Sequence, residues 1–195
     1  MRNIFADDNG SCSQKSIAIR IGNSLFNGLF GDNKAERKAL IAEYRSALPD
    51  SNSYTVLERI QSDGLYRMRS IQAAEIHSDS SSGGTYMYQF EYETKGLHGA
   101  FGAFHGFDAA FMFNNLSTLG VCLGDETTVA EAQVLANSIT DAWATFARTG
   151  TPASSDLPEW PEFDVGQRQT MVLNQHSEVV SDPDSHIRQI WEHRR

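Results

Sequence analysis

Only two cysteines, five prolines and sixteen basic residues occur in this chain of 195 residues, against twenty-five acidic ones. Two thiols, Cys12 and Cys122, cannot staple a disulfide scaffold, and the expectation is that they stay unpaired. The net charge of −9 leaves no basic face for phosphates. Beyond Arg194-Arg195 there is no cluster of Lys or Arg, so a nucleic-acid partner is excluded. No apolar run approaches the roughly 20 residues a membrane-spanning helix needs, and no membrane association is expected. The opening MRNIFADDNGSCSQ lacks the long apolar core of a signal peptide, which means little if the chain is a fragment. Localisation is open, and the unpaired thiols lean it toward the cytoplasm.

Chemical motifs are scarce too. Gly-x-Ser-x-Gly, the strained turn that lifts a serine nucleophile above a sheet, occurs nowhere. Gly22-Asn23-Ser24-Leu25-Phe26 has its first half, with phenylalanine in place of the second glycine. His98 and His105, and likewise His186 and His193, are seven apart, which is not the spacing that puts two imidazoles on one helical face. Neither a phosphate-cradling loop nor a dinucleotide fingerprint is present, so no metal and no cofactor is expected.

What is present is a mixed α and β pattern. Asn33 with Glu36 reads as a helix start, followed by Leu40, Ile41, Tyr44 and Leu48 at helical spacing and a stop at Pro49. A second helix carries Val56, Leu57 and Ile60. A third follows Asp63, with Leu65, Met68, Ile71 and Ala74 along one side. After the flexible turn SDSSSGG comes TYMYQFEY, a strand whose aromatics alternate with other residues. It runs into ETKGLHGAFGAFHG, where Gly96, Gly99, Gly102 and Gly106 argue against any regular element. The longest helix is expected to start in a capping box at Thr128 and Glu131. It would bury Val134, Leu135, Ile139, Ala142, Trp143 and Phe146 and end at Gly150. QTMVLN and SEVVSD read as two short strands, and a last helix carries Ile187, Ile190 and Trp191.

His105 sits in GAFHGFDAAFMF, where Asp108 is the sole charge. A lone histidine among phenylalanines is ordinarily a satisfied core residue. Here the irregular, glycine-rich setting at a strand end is where scaffolds present reacting groups, and dry surroundings favour the neutral imidazole a general base needs. Asp108 is either a solvated loop charge or helix cap, or a carboxylate that supports the histidine loop. Phe104, Phe107, Phe111 and Phe113 read equally as core or as pocket lining.

Five ordered motifs carry a resemblance. TYMYQFEY is followed by HGFDAAFMF, then by Trp143-Ala-Thr-Phe-Ala-Arg-Thr-Gly-Thr-Pro152, then by LPEWPEF, and finally by RQTMVL with SDPDSHIRQIW. From about Leu29 to Trp191 the chain resembles the C-terminal part of type-B carboxylesterases, the cholinesterase-like, para-nitrobenzyl-esterase-like branch of the α/β-hydrolase fold. The resemblance implies an α/β chain with an incomplete sheet flanked by helices, residues 1–195 forming a single segment of such a domain. It implies a Ser-His-Glu/Asp mechanism of carboxylic-ester hydrolysis in which His105 is the general base. The serine elbow and oxyanion loop of the family have no counterpart in this sequence. The family's acid falls near ADDNG, where Asp7 or Asp8 could hold the role. Asp108 stands where the family usually has glutamate, a position that supports the histidine loop.

The implied partners are a small-molecule carboxylic ester and a missing N-terminal segment of the same fold, with self-association possible through uncovered edges. The chain alone is expected to be inactive. The alternatives are a non-catalytic cholinesterase-like binding protein and a truncated inactive fragment.

Overall fold

The first described helix begins as its sequence dictates. In the computed structural model, which describes residues 33–51, 53–93, 95–99, 102–103 and 106–194, the Asn33 side chain accepts a hydrogen bond from the Glu36 amide at 3.1 Å and donates to the Glu36 carboxylate at 2.9 Å. These bonds satisfy a helix start and fix α1 (Lys34–Ala47). The helix closes with the Leu48 amide on the Tyr44 carbonyl, just ahead of Pro49.

The next stretch departs from expectation. α2 (Ser53–Ser62), a π-helical turn (Asp63–Arg67) and α3 (Met68–Ser80) follow one another without a break, where two separate helices were expected. Ser62 and Met68, on either side of the turn, both keep right-handed helical dihedrals. Asp63 was expected to open a new helix, but its side chain is fully buried and bonded to other helices, so the chain widens by one residue instead of stopping.

Contacts divide the described residues into two compact units, one of residues 33–71 with 184–194 and the other Gln72–Pro183. In the first, Leu40, Tyr44, Val56, Ile60 and Ile187 form the buried core, with Ile187 supplied by the last helix, α6 (Ser185–Glu192). A charged knot sits beside this core. Asp63 accepts from the Tyr44 hydroxyl at 2.7 Å and from Arg59 Nε at 3.1 Å, with Arg67 3.6 Å from its second oxygen. Arg59 also pairs with Asp184, and Trp191 Nε1 donates to the Tyr44 hydroxyl. Burial, reinforced by the Asp63 carboxylate, pushes the Tyr44 phenol far above the ordinary tyrosine range. Burial alone would lower Arg59, yet Asp63 and Asp184 outweigh it and raise the guanidinium.

The second unit holds a three-stranded sheet in the order β1 (Tyr88–Phe90), β2 (Gln169–Leu173), β3 (Glu178–Ser181). β1 pairs with β2 in parallel, Tyr88 opposite Met171, and β2 pairs with β3 antiparallel. The hairpin matches the two strands expected of QTMVLN and SEVVSD. β1 is shorter than the eight-residue TYMYQFEY, because its ladder on β2 covers only Tyr88–Phe90. The parallel pairing demands a long crossover, which runs through a 3₁₀ turn (Gly96–Gly99), α4 (Phe107–Met112), a second 3₁₀ segment (Leu116–Cys122) and α5 (Glu126–Thr149). A Cβ on Gly96 would lie 1.9 Å from the Val121 carbonyl oxygen, so the two 3₁₀ segments meet backbone to backbone.

The N-cap of α5 lies three residues before the expected one. Asp125, whose side chain accepts from the Thr128 amide and hydroxyl, is the N-cap. The helix ends on Gly150 in the left-handed conformation (φ 81°), whose amide bonds the Phe146 carbonyl, as expected. Its buried face is Ala132, Leu135, Ala136, Ser138, Ile139 and Ala142. Val134 and Phe146, expected inside, are 60% and 44% exposed, because the real stripe is built on alanines. Among the phenylalanines of the histidine stretch, Phe107 and Phe111 are buried and Phe113 is exposed, while Phe104 lies outside the described residues.

Three substitutions test this packing. Tyr44→Phe removes a phenol bonded to a buried carboxylate and lowers unfolding stability at neutral pH by about 2 kcal/mol. Because the folded phenol titrates above the unfolded one, its contribution is complete below pH ~10 and is lost as the pH rises beyond that value. Urea unfolding at neutral and alkaline pH therefore shows a shallower alkaline decline for Tyr44→Phe than for the parent. Phe111→Ala empties a fully buried aromatic site and costs about 3–5 kcal/mol, whereas Phe113→Ala stays within about 0.5 kcal/mol.

Candidate active site

Gly106 adopts a left-handed conformation (φ 78°) and stands as the N-cap of α4. The stretch expected to stay irregular therefore turns helical at Phe107. The reason lies in packing. Phe107 and Phe111, one helical turn apart, are both buried and touch edge to face at 5.5 Å. They rest on β1 and the residues after it, with Phe90 5.9 Å from Phe107 and 5.1 Å from Phe111, and Tyr92 5.3 Å from Phe111. Thr140 of α5 donates to the Phe111 and Met112 carbonyls at 3.2 and 3.3 Å, closing the other end of α4.

Asp108 occupies the first turn of α4, half-buried, and accepts a hydrogen bond from the Tyr88 hydroxyl at 3.0 Å. It is thus neither a free loop charge nor a cap, since the cap position is Gly106. Burial, with the Asp108 carboxylate adding to it, raises the Tyr88 phenol well above its ordinary range. The Tyr88 ring in turn meets Trp143 of α5 edge-on at 5.1 Å, and Trp143 meets Trp160 at 5.6 Å. Trp160 Nε1 donates to the Met87 carbonyl at 3.2 Å, and the same carbonyl accepts from the Met171 amide at 3.0 Å.

The five sequence motifs therefore converge. TYMYQFEY supplies Met87 and Tyr88, HGFDAAFMF supplies Asp108, the helix motif supplies Trp143, LPEWPEF supplies Trp160 and RQTMVL supplies Met171. Each is one link in a continuous chain of contacts leading to the first turn of α4. Tyr88 escaped the sequence reading as a site residue because it looks like any inward-facing strand aromatic. Its hydroxyl, on a half-buried face, was the available signal.

His105, one residue before Gly106, and Asp7 and Asp8 lie outside the described residues, as does Cys12. Cys122 is half-buried and forms no disulfide among the described residues. Among those residues no group of three or more His, Cys, Asp or Glu is placed to hold a metal ion, and no helix is long and apolar enough to cross a membrane. The Tyr92 hydroxyl is buried and has no hydrogen-bond partner among the described residues.

Known proteins resemble this chain in sequence and in fold. A para-nitrobenzyl esterase of Bacillus subtilis (strain 168) is 37% identical over 87 residues, covering 45% of this chain and 17% of that protein. A phenmedipham hydrolase of Pseudarthrobacter oxydans is 28% identical over 156 residues, covering 78% of this chain and 30% of that protein. The crystal structure of a Geobacillus stearothermophilus carboxylesterase at pH 6.2 superimposes with a TM-score of 0.66 at 29% identity, over 92% of this chain and 35% of that one. A thermophilic para-nitrobenzyl esterase gives 0.63 at 26% identity, over 88% of this chain and 33% of that one. The chain thus spans about a third or less of the length of these relatives, and its small sheet with packed helices is part of an α/β-hydrolase fold. The sequence profile described as "Carboxylesterase family" matches residues 4–191, and with that match this chain belongs to the carboxylesterase family.

Proposed function

We propose that this chain, residues 1–195 taken as one segment of a larger fold, forms the histidine-bearing part of a serine-dependent carboxylic-ester hydrolase. The observation that carries the reading is the convergence of the motif residues on Asp108. The Tyr88 hydrogen bond and the Phe107–Phe111 packing hold the backbone just after His105 in one place. A general base needs that fixity, because misplacement by about an ångström costs as much as a hundredfold in rate. Membership of the family and the names of the relatives support a small-molecule carboxylic ester as substrate.

In this reading His105 takes the proton from a serine hydroxyl as its oxygen attacks the ester carbonyl carbon. The tetrahedral adduct collapses, the carbon–oxygen bond to the alcohol breaks, and His105 returns the proton to the departing alkoxide oxygen. Water then attacks the acyl-serine, His105 again accepting a proton and handing it back to the serine oxygen. The carboxylate orienting His105 comes from Asp7 or Asp8, or from the partner segment. Asp108 and Tyr88 act by positioning. The serine and the oxyanion donors come from a segment this sequence does not contain.

Two outcomes follow. The purified chain shows no burst and no turnover of p-nitrophenyl acetate above background, because the nucleophile is missing and triad members act as a unit. A burst from this chain that His105→Ala abolishes would contradict the assignment of the serine to another segment. Asp108→Asn lowers the ionisation of Tyr88 toward, but not down to, the ordinary value near ~10, since burial remains. Titration of the tyrosine ring carbons by NMR reads the shift. In an enzyme completed with its serine segment, the same substitution lowers turnover by about ten- to a hundredfold.

A further inference from the structure

α4 ends on two consecutive asparagines with different roles. Asn114 takes the left-handed conformation (φ 49°), and the Asn115 amide reaches back to the Ala110 carbonyl at 2.8 Å, closing the helix in a Schellman-type turn. The side chain of Asn114 is tied down: its Nδ2 donates to Asn137 of α5 at 3.2 Å and its Oδ1 accepts from Gln133. The position of Asn115 in such a turn ordinarily carries an apolar residue folded back on the helix. Here it carries an exposed asparagine. Its Oδ1 accepts from the Ser117 hydroxyl at 2.9 Å, and its Nδ2 donates to nothing among the described residues.

Asn115-Leu116-Ser117 is an Asn-x-Ser triplet, the acceptor sequence of N-linked glycosylation. The chain has one other, Asn9-Gly10-Ser11, outside the described residues. Such triplets are short and common, so the surroundings of Asn115 decide. Asn114, Ser117, Thr118 and Asn137 are exposed around it. Cover by further chain would desolvate these amides and hydroxyls at a cost, whereas a sugar offers them hydrogen bonds. A shallow depression of about 360 Å³ opens beside Asn115, with Leu116, Leu123 and Val129 as its apolar part and Ser117 and Gln133 as its hydrogen-bonding part. That mixture, at the small end of ligand-site volumes, suits a single pyranose, which has an apolar ring face and a rim of polar groups.

We propose that Asn115 is an N-glycosylation site and that its first N-acetylglucosamine seats in this depression. The bond formed joins Asn115 Nδ2 to the anomeric carbon of a lipid-pyrophosphate-linked oligosaccharide. The carbon–oxygen bond to pyrophosphate breaks, the lipid pyrophosphate leaves with the electron pair, and the amide nitrogen gives up one proton to the transferase. The nitrogen that reacts is the one left without a partner among the described residues, and the hydrogen bond from Ser117 holds the amide at the surface. The reaction runs in a secretory lumen, so the assignment sets aside the cytoplasmic lean of the unpaired thiols. It is independent of the ester chemistry, being carried by the C-terminal end of α4 and not by the end at Gly106.

The test directs the full chain into the secretory pathway of yeast behind a cleavable leader. Sites are read with peptide-N-glycosidase, which leaves aspartate where it removes a glycan. In chain whose leader has been cleaved, Asn115 carries sugar. Its occupancy is lost in Ser117→Ala, kept in Ser117→Thr and kept in Asn9→Gln. Leader-cleaved chain with no sugar at Asn115, or with sugar at Asn9 alone, overturns the assignment. After trimming to a single N-acetylglucosamine, NMR shows nuclear Overhauser contacts from the sugar to the Leu123 and Val129 methyl groups. A sugar on Asn115 that makes no such contacts overturns its seating in the depression.

Discussion

The packing of Phe107 and Phe111 against Phe90 and Tyr92 is the contact on which the rest of the larger unit depends. It seats a six-residue helix that is too short to stand alone in water. Once seated, α4 brings Asp108 to Tyr88 and offers its carbonyls to Thr140 of α5. α5 then carries Trp143 to the Tyr88 ring, and Trp160 ties the same region to β1. Each later contact uses a surface that the aromatic cluster has already positioned. From Gly106 onward the backbone is fixed by this hydrophobic burial, and the hydrogen bond of Tyr88 to Asp108 adds direction.

The smaller unit solves the same problem with charge. Asp63, Arg59, Arg67 and Asp184 bring two negative and two positive groups together next to Tyr44 and Trp191. Such a cluster is a poor source of net stability, because desolvation offsets most of the attraction. Its effect is selective: any other packing of these helices would leave a buried charge unpaired. The unit thus combines an apolar core, which tolerates variation, with a charged centre that accepts one arrangement.

Much of this was legible in the residues. The Asn33 cap, the stop before Pro49, the Gly150 terminus, the β2–β3 hairpin and the last helix all follow from local signals whose structural partners lie within a few residues. The misreadings share one cause. Asp63 looked like a helix start, Thr128 like a cap, and Phe107–Met112 like loop, and in each case a partner distant in sequence or a preceding residue decided otherwise. Asp63 answers to Tyr44, Thr128 yields to Asp125, and Phe107 answers to Phe90. Val134 and Phe146 lie off the buried stripe of α5, where Ala132, Ala136 and Ala142 accompany Leu135, Ser138 and Ile139. Of the candidate site, Asp108 was read either as a solvated charge or cap or as a supporting carboxylate, and it is half-buried and accepts from the Tyr88 hydroxyl. His105, Asp7 and Asp8 fall outside the described residues, so the family resemblance remains their argument.

The π-helical turn at Asp63–Arg67 has a consequence for how this chain tolerates changes in length. A π turn is an α-helix with one residue too many, and each residue of an α-helix advances the chain by about 100°. Deleting a single residue between Asp63 and Arg67 would restore regular hydrogen bonding and improve the helix as a helix. It would also rotate Met68, Ile71 and Ala74, all buried, away from the face they occupy. A gap of one residue in the exposed turn at 81–83 would trouble nothing of the kind. Among natural variants of this chain, insertions and deletions should therefore gather in that turn and avoid a helix that, by local energetics alone, would gain from losing a residue.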